Sequence, residues 1–374
     1  MRWFYLLALP MLLIGCTTHQ EQIPLLVGTQ GLKSCGLGNL SVEDESAAPD
    51  PEYNALFTRY GPGWTGADST YSVSLPDGRT LWIFSDTFMG KVNPDRSRPA
   101  DSPLVRNSLV VQQGQELTTL NRLGPGGPSS FFAEPAPDDW YWVYDATVEN
   151  NKLRIFLLRF TRTGTGSFDF AWVGNALATL SLPSLTLERI DPLPSSSGVS
   201  WGAAIMETPA YTYIYGTEDL GAQKYMRLAR VRSGRVSQPG AWEYRTDDGW
   251  SRTATASRRL LVGVGNEYSV SKVRGGFMLV TMNTQEAFSR ELLAYFSCSP
   301  QGPWVARTVL YQTPETGGNV FTYNAHAHPQ LTRGGEVLIS YNSNSFVFED
   351  VFANADLYRP HFVRVRIPGA SPRP

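Results

Sequence analysis

The feature that most constrains this chain is a loose repeat of five hairpins after residue 50. Each copy has a small or polar opening, a strand, a tight turn and a second strand that ends in an aromatic or aliphatic run. The copies begin near Trp64, Tyr144, Ser200, Asn266 and Asn324. Helical periodicity is nearly absent over the same region. Antiparallel units that recur at intervals of about 55 to 80 residues are typical of a β-propeller. We therefore predict an all-β fold, a five-bladed β-propeller over residues 51–367.

The first hairpin carries the strongest turn signal. Two β-type runs, 69–75 and 80–84, are joined by a turn that contains Asp77-Gly78. Closing the hairpin on that pair places Asp68 opposite Asp86 to within one residue. Opposed carboxylates destabilise the hairpin by repulsion unless they share a proton, so their presence suggests that a functional site uses them. The alternative is that both side chains only cap strand ends by accepting hydrogen bonds from backbone amides.

The inner strands of a propeller start at one mouth, so residues far apart in sequence converge there. Beside Asp68 and Asp86, the repeat predicts further residues at this mouth, where they would bind a substrate: Asp145, Trp201, Glu218, Glu267 and His326, with Asn107 and Ser108 as weaker candidates. The predicted registers pair Trp201 with Glu218 and Glu267 with Asn283. Polar residues are also common at strand starts that have no function, and this alternative stays open for each of them.

Composition narrows the class of partner. The 374 residues carry 32 Lys and Arg against 34 Asp and Glu, without a dense basic run. No electrostatic footprint for nucleic acid is therefore present, and we predict no such partner. Ten Trp, 17 Tyr and 18 Phe suit both a strand-rich core and the stacking of sugar rings. We expect a monomer.

Other motifs are weaker. Residues 198–202 match G-x-S-x-G, but no helix follows, so a serine hydrolase that uses Ser200 is a minor alternative. His326 and His328 share one strand face and could hold a metal with a third ligand, yet nothing else has ligand spacing. We predict no metal and no cofactor, and leave open a cation that seats the substrate. Cys35 and Cys298 could pair in an oxidising compartment.

The N-terminus has the pattern of an export signal. An apolar run from Trp3 to Ile14 ends in Leu-Ile-Gly-Cys, which resembles the lipobox of bacterial lipoproteins. The resemblance implies a signal peptide over 1–15, lipidation of Cys16 and a protein anchored to the cell envelope, at the outer membrane. We expect a flexible tether over 16–50 and a disordered tail over 368–374. The last strand, 359–367, is predicted to close the ring near residues 57–60.

The run GADSTYSVSLPDGRTLWIFSDT, the pair Asn107-Ser108 and the five hairpins together resemble a propeller family catalogued as a domain of unknown function. Some members of that family are endo-D-arabinanases. The resemblance implies that Asp68 and Asp86 match an aspartate pair implicated in catalysis, since glycoside hydrolysis needs one protonated and one ionised carboxyl group. It predicts a hydrolase of furanosidic, arabinan-like polysaccharide. Which aspartate is the acid, and the stereochemical outcome, stay open. The alternative function is a non-catalytic glycan-binding or scaffolding propeller.

Overall fold

Five antiparallel sheets follow one another along the chain, and we number them as blades 1 to 5. The computed structural model describes residues 29–37, 46–120, 122–166 and 169–367. Blade 1 contains strands Tyr71–Ser74, Thr80–Phe84, Ser108–Gln113 and Glu116–Leu120. Blade 2 contains Asp139–Glu149, Lys152–Arg162, Phe170–Ser181 and Thr186–Leu193. Blade 3 contains Val199–Glu207, Tyr211–Asp219, Lys224–Arg232 and Glu243–Arg245, with the short additions Trp250–Ser251 and Leu261–Val262.

Blades 4 and 5 complete the ring. Blade 4 contains strands Tyr268–Val273, Gly276–Met282, Glu291–Ser297 and Val305–Gln312. Blade 5 contains Val320–Arg333, Glu336–Ser345 and Pro360–Arg366, with Ser46–Pro49 as its outer strand. The first strand of each blade contacts the first strand of the next, and that of blade 5 contacts that of blade 1. The predicted all-β, five-bladed propeller is confirmed.

Both faces of the blades are buried because each sheet packs between two others. In the strand Thr80–Phe84, Leu81 and Ile83 point into one apolar cluster, while Trp82 and Phe84 point into another. This arrangement explains why the strand reads as a continuous apolar run rather than as an alternation of polar and apolar residues. Burial on two sides fixes the register of each strand, since a slip of one residue would exchange the two faces.

The ring closes through the N-terminal part of the described chain. The last strand contacts residues 57–60 as predicted, with the ring centroids of Phe57 and Phe362 5.2 Å apart, but its strand partner is an earlier segment. Ser46–Pro49 pairs with the last strand, Ser46 opposite Arg366 and Pro49 opposite Val363. Residues 51–57 form a helix instead, whose first turn is capped by Asp50: its Oδ1 accepts a hydrogen bond from the Tyr53 amide at 2.8 Å.

The segment before this strand is also attached to the propeller. Thr29–Cys35 forms a 3₁₀ helix, Leu32 and Leu37 are buried, and a disulfide joins Cys35 to Cys298. The prediction of a flexible tether over 16–50 is therefore wrong for residues 29–37 and 46–50, which a covalent link and an edge strand hold in place. The predicted signal peptide, Cys16 and the predicted tail lie outside the described residues.

The remaining elements are short. Trp64–Ala67, Thr87–Met89 and Leu104–Val105 form a three-stranded sheet beside blade 1, and Arg122–Gly124 pairs with Gly127–Ser129. The helix Pro51–Phe57 is joined by the short helix Asp350–Ala353 and by 3₁₀ turns at Pro239–Ala241, Ala254–Ala256 and Ala355–Tyr358. None of the described helices has the length and hydropathy needed to span a membrane.

Buried asparagines tie neighbouring blades together. Asn107, just before the third strand of blade 1, donates to the carbonyls of Phe132 and Tyr141 at 3.1 and 2.9 Å and accepts from the Phe132 amide at 2.7 Å. Asn175, in the third strand of blade 2, donates to the Val199 carbonyl and accepts from the Trp201 amide. In both blades, an asparagine in or next to the third strand is therefore hydrogen-bonded to the inner strand of the next blade or to the segment that leads to it.

These contacts make Asn107 a structural residue, and the prediction that it binds substrate is wrong. We expect Asn107→Ala to lower the free energy of unfolding by about 3 kcal/mol, because three buried backbone groups lose their partner at roughly 1 kcal/mol each. Denaturant unfolding measures the change, with the exposed Gln115→Ala as the control. A loss below about 1 kcal/mol would contradict this role.

Candidate active site

The first hairpin brings Asp68 and Asp86 together. Its strands pair Tyr71 with Ile83 and Ser74 with Thr80, and the two acids lie just beyond the Tyr71 end of this ladder. The Asp68 amide donates to the Asp86 carbonyl at 3.2 Å, and the Ser85 amide donates to the Asp68 carbonyl at 3.2 Å. The predicted opposition of the two aspartates is therefore what the structure shows.

The backbone beside Asp68 is strained. Ser69 and Thr70 have φ angles of 72° and 60°, in the left-handed region that costs a non-glycine residue about 1 kcal/mol or more. Side-chain hydrogen bonds hold this conformation: Ser69 Oγ lies 2.8 Å from Ser85 Oγ, and the Asn342 amide donates to Thr70 Oγ1 at 2.9 Å. Strain that neighbouring groups sustain is common at functional sites, and here it separates Asp68 from the regular inner strand.

Both acids line a pocket of about 610 Å³ at the mouth of the propeller. All five blades contribute to its wall, among them Asp86 from blade 1, Trp142 from blade 2, Ser200 from blade 3, Glu267 from the start of blade 4 and Tyr323 from blade 5. A pocket of this size accommodates a few sugar rings.

The two carboxyl groups differ in their partners. Oδ2 of Asp68 accepts hydrogen bonds from the phenols of Tyr323 and Tyr358, at 2.9 and 3.0 Å. Oδ1 is buried and has no partner among the described residues. Burial, followed by the charge of Asp86, raises the pKa of Asp68 to about 7, against the smaller opposite effect of the two phenols. An aspartate with this pKa is protonated in a large fraction of molecules at neutral pH.

Asp86 has the cationic partner. Arg106 lies 3.1 Å from its Oδ2, and the Trp142 indole N–H donates to its Oδ1 at 2.8 Å. Burial raises the pKa of Asp86, while the Arg106 charge and the indole hydrogen bond oppose that rise. Of the two acids, Asp86 is thus the one whose ionised form is stabilised by a charge.

A third carboxyl group completes the pocket floor. Oε1 of Glu267 accepts from the Asn324 amide and lies 2.9 Å from the Ser69 hydroxyl. Oε2 lies 3.4 Å from Nε2 of His326, whose ring centroid is 4.0 Å from that of Tyr71. Burial raises the pKa of Glu267 well above its usual value and lowers the pKa of His326 well below its usual value, so burial favours the neutral form of each group. Glu267 lines the pocket as predicted, whereas His326 lies beneath it and supports Glu267.

Aromatic side chains form two walls of the pocket. The blade 2 wall consists of Trp140, Trp142, Phe160, Phe170 and Trp172, with Trp142 and Phe160 centroids 4.5 Å apart. Arg106 stacks on Trp140 at 4.5 Å. On the other side lie Phe321, Tyr323, Phe346 and Phe348 from blade 5.

Several sequence predictions for this mouth are wrong, and β-bulges explain two of them. The turn side of the blade 3 hairpin has the predicted register, with Ala204 opposite Tyr215, but a bulge between Trp201 and Ala204 shifts the rest by two, so Trp201 faces Gly216. Trp201 is fully buried in the core against Tyr244 and is not a sugar platform. Gly202 allows the bulge because its φ is 106° and a Cβ there would collide with the Phe156 ring.

Two other positions, Glu218 and Asp145, also differ from the prediction. Glu218 lies outside the pocket in ion pairs with Arg227 and Arg259 that lower its pKa, and its neighbour Asp219 lines the pocket instead. Asp145 sits in a bulge, where its Oδ2 accepts from the Ile205 amide of blade 3 at 2.7 Å. Burial raises the pKa of Asp145 to about 7, but its carboxyl group joins blades rather than lining the pocket.

Further corrections are smaller. Ser108 is buried 2.8 Å from Thr87 Oγ1 and does not line the pocket. The register of blade 4 places Tyr268 opposite Thr281, one residue from the predicted pairing of Glu267 with Asn283, because its turn has only two residues. Ser200 does line the pocket, but it donates to the Thr217 carbonyl and lies 3.1 Å from the Tyr144 phenol, and neither partner is a general base.

The sequence prediction missed Arg106, Trp142, Tyr323 and Tyr358. Trp142 and Tyr323 stand just before predicted hairpins, so extending each repeat by two residues would have found them. Arg106 and Tyr358 lie between strands and carry no pattern. Across the described ranges, no group of three or more His, Cys, Asp or Glu side chains could hold a metal ion.

The fold and sequence resemble known proteins. A family model described as "Domain of unknown function (DUF5005)" matches residues 50–367. A candidate hydrolase from Bacteroides ovatus is 25% identical with a TM-score of 0.73, covering 87% of this chain and 93% of that chain. The GH43_1 enzyme from Xanthomonas citri, complexed with xylotriose, is 14% identical with a TM-score of 0.50, covering 91% and 93%, and this likeness shows the fold alone. No curated protein matches the sequence.

The raised pKa of Asp68 predicts a pH-dependent stability. Below about pH 4 the carboxyl group is protonated in both states, whereas between about pH 4 and 7 the unfolded chain loses the proton first, so stability falls as the pH rises. We expect Asp68→Asn to raise the free energy of unfolding at pH 8, relative to its effect at pH 4, by roughly 2 to 4 kcal/mol. Denaturant unfolding at both pH values measures this, with the exposed Asp101→Asn as the control. An effect that is equal at the two pH values would show that Asp68 is not desolvated.

Proposed function

This chain belongs to the family described as a domain of unknown function (DUF5005), and we propose that it is a glycoside hydrolase that cleaves a furanosidic, arabinan-like polysaccharide with Asp68 and Asp86. The observation that carries the proposal is the asymmetry of the two acids. Oδ2 of Asp68 accepts hydrogen bonds from two phenols and its buried Oδ1 has no partner among the described residues, while Asp86 is paired with the Arg106 guanidinium.

The asymmetry supports different roles for the two groups. Asp68, with a pKa of about 7, donates a proton to the glycosidic oxygen as the bond to the anomeric carbon breaks. Asp86, whose ionised form Arg106 stabilises, acts at the anomeric carbon, as nucleophile or as base for a water molecule. Arg106 also limits the charge that accumulates in the pocket when both acids lose their protons. Glu267, whose neutral form is favoured by burial, binds a sugar hydroxyl.

Three observations support the reaction class and the substrate class. The hairpin with its aspartate pair resembles a family that includes endo-D-arabinanases. The aromatic walls offer flat faces of the kind on which sugar rings stack. The protein from Bacteroides ovatus that shares 25% identity is described as a candidate hydrolase. A glycan-binding propeller without catalysis would have no need for an acid of raised pKa among the pocket-lining residues.

We expect Asp68→Asn and Asp86→Asn each to lower kcat on arabinan by about 10³-fold, because each removes one half of the acid and base pair. The wild-type rate should fall with an apparent pKa near 7 on the alkaline side, as Asp68 loses its proton. Release of reducing ends from a panel that contains arabinan and xylan measures this, with Asp101→Asn as the control. Unchanged turnover in both variants would reject the proposal.

A substrate with a good leaving group separates the two roles. 4-Nitrophenyl arabinofuranoside needs little protonation, so Asp68→Asn should retain most of the wild-type rate on it whereas Asp86→Asn should not. The reverse pattern would exchange the assignments of the two aspartates.

We also propose that the hydrolase is a lipoprotein of the bacterial envelope, anchored through Cys16. The support is the run Leu13-Ile14-Gly15-Cys16 at the end of an apolar segment. The disulfide between Cys35 and Cys298 suits an oxidising compartment. Residues 17–28 would then connect the anchor to the propeller.

If Cys16 carries the lipid, Cys16→Ser should move the protein from the membrane fraction to the soluble fraction and abolish its labelling with palmitate. Fractionation and labelling in a bacterial host measure both effects. A Thr17→Ser variant serves as the control and should stay in the membrane fraction. A Cys16→Ser protein that remains labelled would contradict the anchor.

A further inference from the structure

Four phenylalanines form a ridge at the outer edge of the pocket, and we define the Phe ridge as Phe288, Phe321, Phe346 and Phe348. Phe346 lies at the centre, with ring centroids 4.7 Å from both Phe288 and Phe321. Phe288, Phe346 and Phe348 are 58, 46 and 37% exposed. A cluster of large exposed rings is costly in water and marks a surface that binds something.

The Phe ridge is continuous with the pocket. Phe321, Phe346 and Phe348 line it, and Phe288 continues the surface outwards through its edge contact with Phe346. Phe288 has a φ of 53°, a left-handed conformation that is unfavourable for a bulky side chain. The backbone is therefore strained at the residue whose ring is exposed to solvent.

The hydrogen bonds of the two acids show which of them lies nearer the Phe ridge. The phenol of Tyr323, in blade 5, donates to Asp68, so Asp68 faces the ridge side of the mouth. The indole of Trp142, in blade 2, donates to Asp86, so Asp86 faces the blade 2 wall. Blade 2 is a neighbour of neither blade 4 nor blade 5 in a ring of five. The two aromatic surfaces therefore flank the acids from opposite sides.

We propose that the Phe ridge binds the sugar units on the leaving-group side of the scissile bond. This rests on the proposed function, in which Asp68 protonates the leaving oxygen. The sugar attached to that oxygen emerges beside Asp68 and meets the ridge. The blade 2 wall then binds the sugars on the side of Asp86. Aromatic rings on both sides of the acids suit a polymer.

The test compares rings with apolar side chains of another shape, in an Asp86→Asn background that leaves the polymer uncut. A Phe288→Leu and Phe346→Leu double variant keeps apolar area but has no flat face, while a Phe288→Trp and Phe346→Trp double variant keeps the face. Leu123→Ala, at an 82% exposed apolar residue away from the pocket, is the matched control. Affinity electrophoresis in arabinan and titration with arabinotriose measure the affinity for the polymer and for a short chain.

We expect the Leu double variant to lower the ratio of polymer to trisaccharide affinity about tenfold, with the Trp double variant and Leu123→Ala close to the parent protein. Polymer affinity that is unchanged in the Leu double variant would overturn the ridge proposal while leaving the hydrolase proposal standing. Ring-dependent binding of arabinan by a protein whose wild type cleaves nothing would show that the ridge binds glycan, but it would reject hydrolysis and with it the assignment of the ridge to the leaving-group side.

Two further outcomes would overturn the ridge proposal. The first is that neither arabinan nor xylan retards the parent protein, which would also reject the proposed function. The second is a dimer of the parent protein that the Leu substitutions dissociate in size-exclusion chromatography, without any change in glycan affinity. In that case the rings would cover each other between two copies of the chain.

Discussion

Two carboxyl groups removed from water in one pocket set the requirements for the rest of this site. Like charges in such a place cannot both persist, so each group must be held in a different state by different neighbours. The neighbours come from separate blades: phenols from blade 5 and the segment before its last strand for Asp68, and an indole from blade 2 with Arg106 for Asp86. Only a closed ring brings these parts of the chain to one point. The different states of the two acids therefore depend on closure of the ring, because the partners that stabilise them come from separate blades.

The parts of this site that were predictable from sequence are those that a turn fixes. Asp77-Gly78 sets the register of the first hairpin, which ends at Tyr71 and Ile83. Asp68 and Asp86 lie only a few residues beyond that pair, and the Asp68 amide still bonds to the Asp86 carbonyl. In blade 3 the same reasoning works from the turn as far as Ala204 and then fails at the bulge, so Trp201 and Glu218 were assigned to the mouth in error. A bulge depends on what packs against it, here the ring of Phe156 over Gly202, and no local pattern reveals such a contact.

Long-range partners were the other limit. In the sequence, Asn107 is a polar residue just before a strand, and a pocket residue has the same pattern. Only its hydrogen bonds to the carbonyls of Phe132 and Tyr141 show that it connects two blades. Tyr358 lies 290 residues from Asp68 in sequence. Such pairs follow from closure of the ring, which the repeat predicts as a fold but not atom by atom. The number of blades was therefore accessible to sequence analysis, whereas most of the pocket wall was not.

The pairing of Ser46–Pro49 with Pro360–Arg366 has a consequence for how the molecule is made. The last sheet needs a strand synthesised early and one synthesised more than 300 residues later, so the early strand waits without a partner while four blades emerge. During that interval its edge is open to pairing with other chains. Biosynthesis of this protein should consequently depend on chaperones that bind nascent chains. Its yield should depend on how fast the strands of the final sheet pair.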